Sequence, residues 1–162
     1  MEAFTQKWAI ISLLEPMREG SEFYYTDFPL HLTLAGVFAA DKPGRQLADE
    51  LAALLHGQPP VQIVSDKKDM FGPEKNIAVM RIQQSADLLA VYKRIHIWLQ
   101  QAGARYNSPQ YEGSGYVAHS TFQKSGSLTA GEKRTLQSVS LIDLFPGNNG
   151  YQRKIFRTIP LT

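Results

Sequence analysis

The chain contains no cysteine among its 162 residues. That excludes a disulfide framework, a thiolate metal site and a thiol nucleophile. It also lacks any apolar run long enough to cross a bilayer. The one apolar stretch near the start, Trp8 to Leu14, follows a single Lys7 and is stopped by Glu15 and Pro16. It therefore has neither the basic flank nor the small-residue cleavage site of a secretory leader, and a cytoplasmic protein without a membrane partner is expected. An excess of one charge is missing as well: 17 basic against 15 acidic residues leave a net charge of +2. Such a balance names no polyanionic partner, though it leaves room for a local basic groove. No low-complexity segment or linker divides the sequence, so residues 1–162 are read as one domain.

What is present alternates between two periods. Lys7 to Leu14 and Pro29 to Phe38 read as strands. Pro43 to His56 carries Leu47, Leu51, Leu54 and Leu55 at helical spacing and ends at Gly57. Pro60 to Ser65 and Asn76 to Ile82 read as an antiparallel pair joined by a loop around Lys67, Lys68, Phe71, Gly72 and Pro73. Ser85 can cap a second helix, with Leu88, Tyr92, Ile95 and Leu99 on one face and Gly103 as its stop. Gly115 to Gln123 reads as a strand, and Thr129 with Glu132 as a capping box opening a short helix. Leu136 to Leu144 and Gln152 to Ile159 are two further strands around a turn at 146–150. Strands mixed with two main helices predict an α+β fold. The succession after His31 is echoed around His119, which suggests two similar halves related by a pseudo-two-fold axis.

The same short pattern stands at both places in this echo. In Pro29-Leu30-His31-Leu32-Thr33-Leu34, alternation puts the leucines on one face and His31 with Thr33 on the other, about 7 Å apart along the strand. In Tyr116-Val117-Ala118-His119-Ser120-Thr121-Phe122, His119 and Thr121 are paired in the same way, with Ala118, Ser120 and Phe122 behind them. A single His-x-Thr on a strand reads as readily as a half-buried histidine beside a strand-forming threonine. With eight threonines in the chain, two such hits among four histidines are a coincidence of only about 1 to 2%.

Two histidines and two threonines suit attack on a phosphodiester. One imidazole can act as base and the other as acid near neutral pH. Each hydroxyl can donate to a phosphoryl oxygen, where negative charge collects. A serine-hydrolase reading lacks a G-x-S-x-G turn. A zinc site lacks acidic or thiolate ligands beside the histidines.

The motifs His31-Leu32-Thr33-Leu34 and His119-Ser120-Thr121-Phe122 resemble the two H-x-[TS]-x motifs of the 2H phosphoesterase superfamily. That superfamily contains the 2′-5′ RNA ligase-like proteins and the cyclic phosphodiesterases. The spacing, the strand-helix succession and the closing segment Tyr151 to Leu161 extend the resemblance over most of the chain. One departure is Val117-Ala118 before the second histidine, where many relatives have a proline. The resemblance implies a bilobal α+β fold with two antiparallel sheets lining a central groove and helices outside. It also implies action, with no metal, on RNA-type 2′,3′-cyclic phosphates, 2′-5′ linkages or related small cyclic phosphates, so that a small cyclic nucleotide or an RNA end is the expected substrate and no cofactor is expected. The alternatives to a hydrolase are an RNA-end or nucleotide-binding module with little turnover and a reversible 2′-5′ RNA ligase. A monomer is expected.

The remaining candidates are weaker. His56 at the end of the first helix suits the helix dipole, and His96 beside the apolar stripe of the second reads as structural. Lys67 and Lys68 could contact a phosphate, and Phe71 could stack on a base. Tyr151, Arg153 and Lys154 open the last strand, where Tyr151 could reach the substrate or the charges could simply mark an exposed edge. Tyr24, Tyr25 and Asp27 could shape the groove mouth.

Overall fold

A computed structural model describes residues 6–162. Ten strands and two helices follow one another as β1 (Trp8–Leu13), β2 (Glu22–Tyr24), β3 (His31–Ala39), α1 (Gly44–Leu54), β4 (Val61–Phe71), β5 (Ile77–Ile82), α2 (Ala86–Gln101), β6 (Arg105–Tyr106), β7 (His119–Thr121), β8 (Lys133–Leu136), β9 (Ser138–Asp143) and β10 (Gln152–Pro160). They build two sheets, one in the order β2-β10-β9-β1-β3-β6 and one in the order β7-β5-β4-β8. All ladders are antiparallel. The fold is α+β, as the mixture of periods predicts.

Local chemistry explains most of these boundaries. The Ser85 hydroxyl accepts the amide of Leu88 at 3.2 Å and starts α2. Gly103, at φ +72°, adopts the left-handed conformation that lets Ala104 N–H return to the Leu99 carbonyl and close the helix. Leu47 and Leu51 of α1 and Leu88, Ile95 and Leu99 of α2 are buried in one cluster with Ile10, Leu32, Leu34 and Ile63, which draws on both sheets. A second, smaller cluster of Ile11, Ile142 and Ile155, with Phe23, Phe28 and Val37 packed on it, covers the other face of the six-stranded sheet. Ile11 sits opposite Thr33 in the β1–β3 ladder, so this second face is the one His31 and Thr33 share.

Several expectations are corrected. The Thr129–Glu132 pair makes its local bonds, with Thr129 N–H and Oγ1 donating to Glu132 Oε1 at 3.0 and 3.2 Å, but no helix follows. Gly131 at φ +79° is in the left-handed region, and the amide of Gly131 and the carbonyl of Glu132 are taken by Ser65 of β4, which steers the chain into β8. The segment around Lys67, Lys68 and Phe71 is strand: β4 runs to Phe71, with a bulge between Ser65 and Lys68. The strand foreseen over 115–123 is only β7, because 3₁₀ turns at Pro109–Tyr111 and Gly113–Gly115 occupy the approach. A Cβ on Gly115 would lie 2.1 Å from the Gln110 carbonyl, so that turn needs glycine. β10 is no edge strand either, since β2 pairs with it.

The two sheets are joined where β3 and β7 lie side by side. Ser120, 1% exposed, donates its hydroxyl to the His31 carbonyl at 2.8 Å, and Tyr116 donates to the Thr33 carbonyl at 2.8 Å. Replacing Ser120 by alanine removes a buried donor and leaves that bond unmade, a loss of about 1–3 kcal/mol. A urea titration of Ser120→Ala should show its midpoint lowered accordingly, with the slope unchanged.

Candidate active site

His31 opens β3 and His119 opens β7, and both rings are held in the same way. The Nδ1 of His31 lies 2.7 Å from the Pro29 carbonyl, and the Nδ1 of His119 lies 2.7 Å from the Val117 carbonyl. A carbonyl only accepts, so in each ring Nδ1 carries the proton and Nε2 keeps its lone pair. Each imidazole also packs against a phenylalanine: Phe28 at 4.4 Å from His31 and Phe71 at 4.8 Å from His119, centroid to centroid. The pairing of carbonyl and phenyl ring is thus repeated at both motifs.

Burial is the largest influence on both rings, and it pushes both pKa values below the ordinary 6.5. The backbone bonds oppose this in each case. A further depression comes to His31 from His119 and to His119 from Arg81. The histidines are therefore close enough to feel each other's charge.

Thr33 and His119 line a cavity of about 560 Å³, together with Arg81, Phe71, Tyr106, Tyr111 and Tyr116. Thr121 stands opposite Val79 on β5, and Arg81 stands opposite His119, so His119, Thr121 and Arg81 share one sheet face. His31 and Thr121 are not among the residues that line the cavity. Neither threonine hydroxyl is engaged by another protein group among the described residues, which leaves both available to a ligand.

Arg81 was not singled out by sequence. In Ala78-Val79-Met80-Arg81-Ile82 it reads as an ordinary charged strand residue, and only the β5–β7 register reveals its neighbour. Its Nε is 2.7 Å from Asp69 Oδ2, and its guanidinium carbon lies 5.7 Å from the Phe71 ring. Glu112 was also missed. It accepts the Gly36 amide at 2.9 Å and the Tyr92 hydroxyl at 2.6 Å, clasping the turn of 109–115 onto β3 and α2. Tyr116, Tyr92, His96 and Tyr106 stack in succession behind that turn, with centroid separations of 3.7, 5.7 and 5.8 Å.

The weaker candidates divide. Phe71 lines the cavity. Tyr151 does not; its ring packs with Tyr24 and Tyr25. Lys68 is turned away from the face of His119 and Thr121, its Nζ 5.4 Å from the Phe122 ring, because it pairs with Met80 and hence lies on the side of Ser120. Lys67 is exposed and near Asp69. His56 follows α1 and precedes Gly57 at φ +76°, while His96 is fixed between tyrosines with Nδ1 3.1 Å from the Tyr106 hydroxyl. Among the described residues no group of three or more His, Cys, Asp or Glu side chains converges to hold a metal ion.

Two sheets meeting at paired His-x-Thr strands define a phosphoesterase-like class of fold and site. The chain belongs to the 2′-5′ RNA ligase superfamily, whose family model matches residues 4–144. Solved structures agree in fold. E. coli LigT complexed with 3′-AMP superimposes with a TM-score of 0.59 at 15% identity, covering 97% of this chain and 98% of LigT. A protein described as a phosphoesterase gives 0.55 at 15% identity, with 97% and 95% covered. The Thermus thermophilus protein TT0787 gives 0.55 at 14% identity, with 96% and 97% covered. Comparison with curated protein sequences gave no match.

The depressed pKa values carry a stability consequence. Between the folded values and 6.5 the unfolded chain binds more protons at these two sites, so their contribution is complete above about pH 6.5 and is lost as pH falls through the folded values. The urea midpoint should therefore fall between about pH 7 and pH 5, above the range where unfolded carboxylates titrate. The fall should be shallower in the His31→Asn/His119→Asn variant; equal slopes for the two proteins would contradict the assignment.

Proposed function

We propose that the chain is a metal-independent phosphodiesterase that opens a 2′,3′-cyclic phosphate, or a related RNA or nucleotide phosphodiester, by two-histidine acid–base catalysis. The observation that carries this reading is the matched pair of imidazoles, each fixed through Nδ1–H to a carbonyl two residues back and each with no hydrogen-bond partner at Nε2 among the described residues. Fixing the tautomer by a backbone bond is what a proton-transferring histidine requires.

In this reading one Nε2 takes a proton from water as the water oxygen bonds to phosphorus. The other histidine, protonated, gives its proton to the ribose oxygen as the P–O bond breaks, and the product is a phosphomonoester. The threonine hydroxyls of Thr33 and Thr121 donate to the non-bridging oxygens. Arg81 stands beside His119 and adds positive charge there. Burial favours the neutral form of both rings in the free protein, and an arriving phosphate anion favours the protonated form of the ring beside it. The aromatic and apolar lining of the cavity suits a nucleoside. LigT, a relative in fold, has been crystallised with 3′-AMP and with NADP+.

With the 5′-hydroxyl of a second RNA end in place of water, the same residues would bond that oxygen to phosphorus as the ribose 3′-oxygen leaves with the proton, joining a 2′-5′ RNA junction, so products decide between hydrolysis and ligation. A panel of 2′,3′-cyclic nucleotides, a cyclic-phosphate-ended RNA and a 2′-5′-linked oligonucleotide, with phosphate position assigned by phosphorus NMR, makes that assignment. His31→Ala and His119→Ala should each lower kcat by roughly 10² to 10⁴, and wild-type activity should survive chelation. Full activity in either variant would defeat the mechanism. Tight binding of a cyclic-phosphate end with no product would instead favour a binding module. Arg81→Leu should lower kcat/KM by about tenfold or more, as loss of a charge-assisted contact to phosphate.

A further inference from the structure

We propose that the exposed Tyr24–Tyr25–Tyr151 cluster is a base-stacking platform for single-stranded RNA, so that the substrate is an oligonucleotide end rather than a free cyclic mononucleotide. This rests on the phosphodiesterase reading of the groove.

The three rings are 43%, 45% and 65% exposed, yet they form one cluster rather than three scattered side chains. Tyr24 lies 4.9 Å from Tyr25 and 6.5 Å from Tyr151, centroid to centroid, and the latter pair is nearly parallel at 21°. Tyr25 and Tyr151 are 6.0 Å apart. Their backbones are fixed: Tyr25 N–H donates to the Tyr151 carbonyl at 2.9 Å, and Tyr151 N–H donates to Asn149 Oδ1 at 2.9 Å. Flat rings set beforehand on a rigid edge are what sequence-tolerant stacking of bases uses.

Charge at the cluster fits the same ligand. The Arg153 guanidinium carbon lies 5.9 Å from the Tyr25 ring, and its Nη1 donates to the carbonyls of Leu144, Gly150 and Gln152. No carboxylate forms an ion pair with Arg153 among the described residues, so its charge remains available to a phosphate backbone.

A short stretch of chain joins the platform to the first histidine. Tyr25 begins a 3₁₀ turn, Tyr25–Asp27, and the next residue, Phe28, puts its ring on His31. From Tyr25 to His31 the chain can reach at most about 20 Å, a span that a few nucleotides cover. Asp27 pairs with Lys124 at 3.1 Å, which ties the turn to the chain leaving β7. A mononucleotide held at the histidines has no use for rings beyond Phe28, whereas the next bases of a strand do.

The test combines binding with turnover. Fluorescence anisotropy follows a labelled adenosine hexamer ending in a 3′-phosphate, and turnover is compared on a cyclic mononucleotide and a cyclic-phosphate-ended hexamer. Tyr24→Ala/Tyr151→Ala should weaken hexamer binding about tenfold or more and lower the hexamer-to-mononucleotide ratio of kcat/KM. Tyr24→Phe/Tyr151→Phe, which keeps the rings, should preserve both. Unchanged hexamer binding in the alanine variant would overturn the platform. So would a dimer in sedimentation that the alanine variant dissolves, since the patch would then serve self-association. Absence of turnover on every cyclic phosphate would defeat the catalytic reading alone, with hexamer binding still deciding the platform.

Discussion

The hydrogen bond from Ser120 to the His31 carbonyl fixes one histidine strand against the other. It is a side-chain bond across the seam between two sheets that share no ladder. Because Ser120 lies between His119 and Thr121 and points the opposite way, one buried hydroxyl sets the position of both flanking side chains. Tyr116 adds a second link from the same segment to Thr33. Each catalytic candidate is therefore placed by a neighbour that faces away from the groove, which lets the site be polar on one side and packed on the other.

The groove also depends on what lies behind it. Glu112 joins three elements at once, since it holds the Gly36 amide and the Tyr92 hydroxyl while the turn that carries it forms a wall of the cavity. A Cβ on Gly36 would stand 2.9 Å from the Glu112 carboxylate, so the close approach of that wall to β3 uses the missing side chain. Burial of Tyr92, the main cause, and its bond to Glu112 push its hydroxyl pKa well above the usual range, which keeps it a neutral donor. The stacked tyrosines and His96 carry this wall back to α2, which is rooted in the main core. Rigid support of this kind is what the proposed proton transfer would need to keep its groups in fixed geometry.

Dryness and charge act together on the histidines. Burial alone would make two neutral imidazoles of little use as acids, but it also strengthens their response to an arriving anion. Arg81 contributes to the same field, partly offset by Asp69 on the neighbouring strand. In the proposed reaction the proton would therefore arrive with the ligand rather than before it.

Alternation within Leu30 to Leu34 and Tyr116 to Phe122 was enough to divide the His/Thr faces from the core faces, because a strand's side chains obey a period of two wherever one face is buried. Helical spacing located α1 and α2 for the same kind of reason, and the paired motifs identified the family. The short strands β2 and β6 carry too few residues for a period to show, and the Thr129–Glu132 pair looked helical because its local bonds form in a turn as well. Arg81, Glu112 and the meeting of Tyr24 and Tyr25 with Tyr151 were not legible, since their meaning lies in neighbours far along the chain: Arg81 beside His119 by register, Glu112 beside Gly36, Tyr24 beside Tyr151. The sequence by itself determined which strands carry the histidines and which way they face. Only the tertiary structure decided what stands opposite them, because register and sheet-to-sheet contact are set by the burial of both partners together.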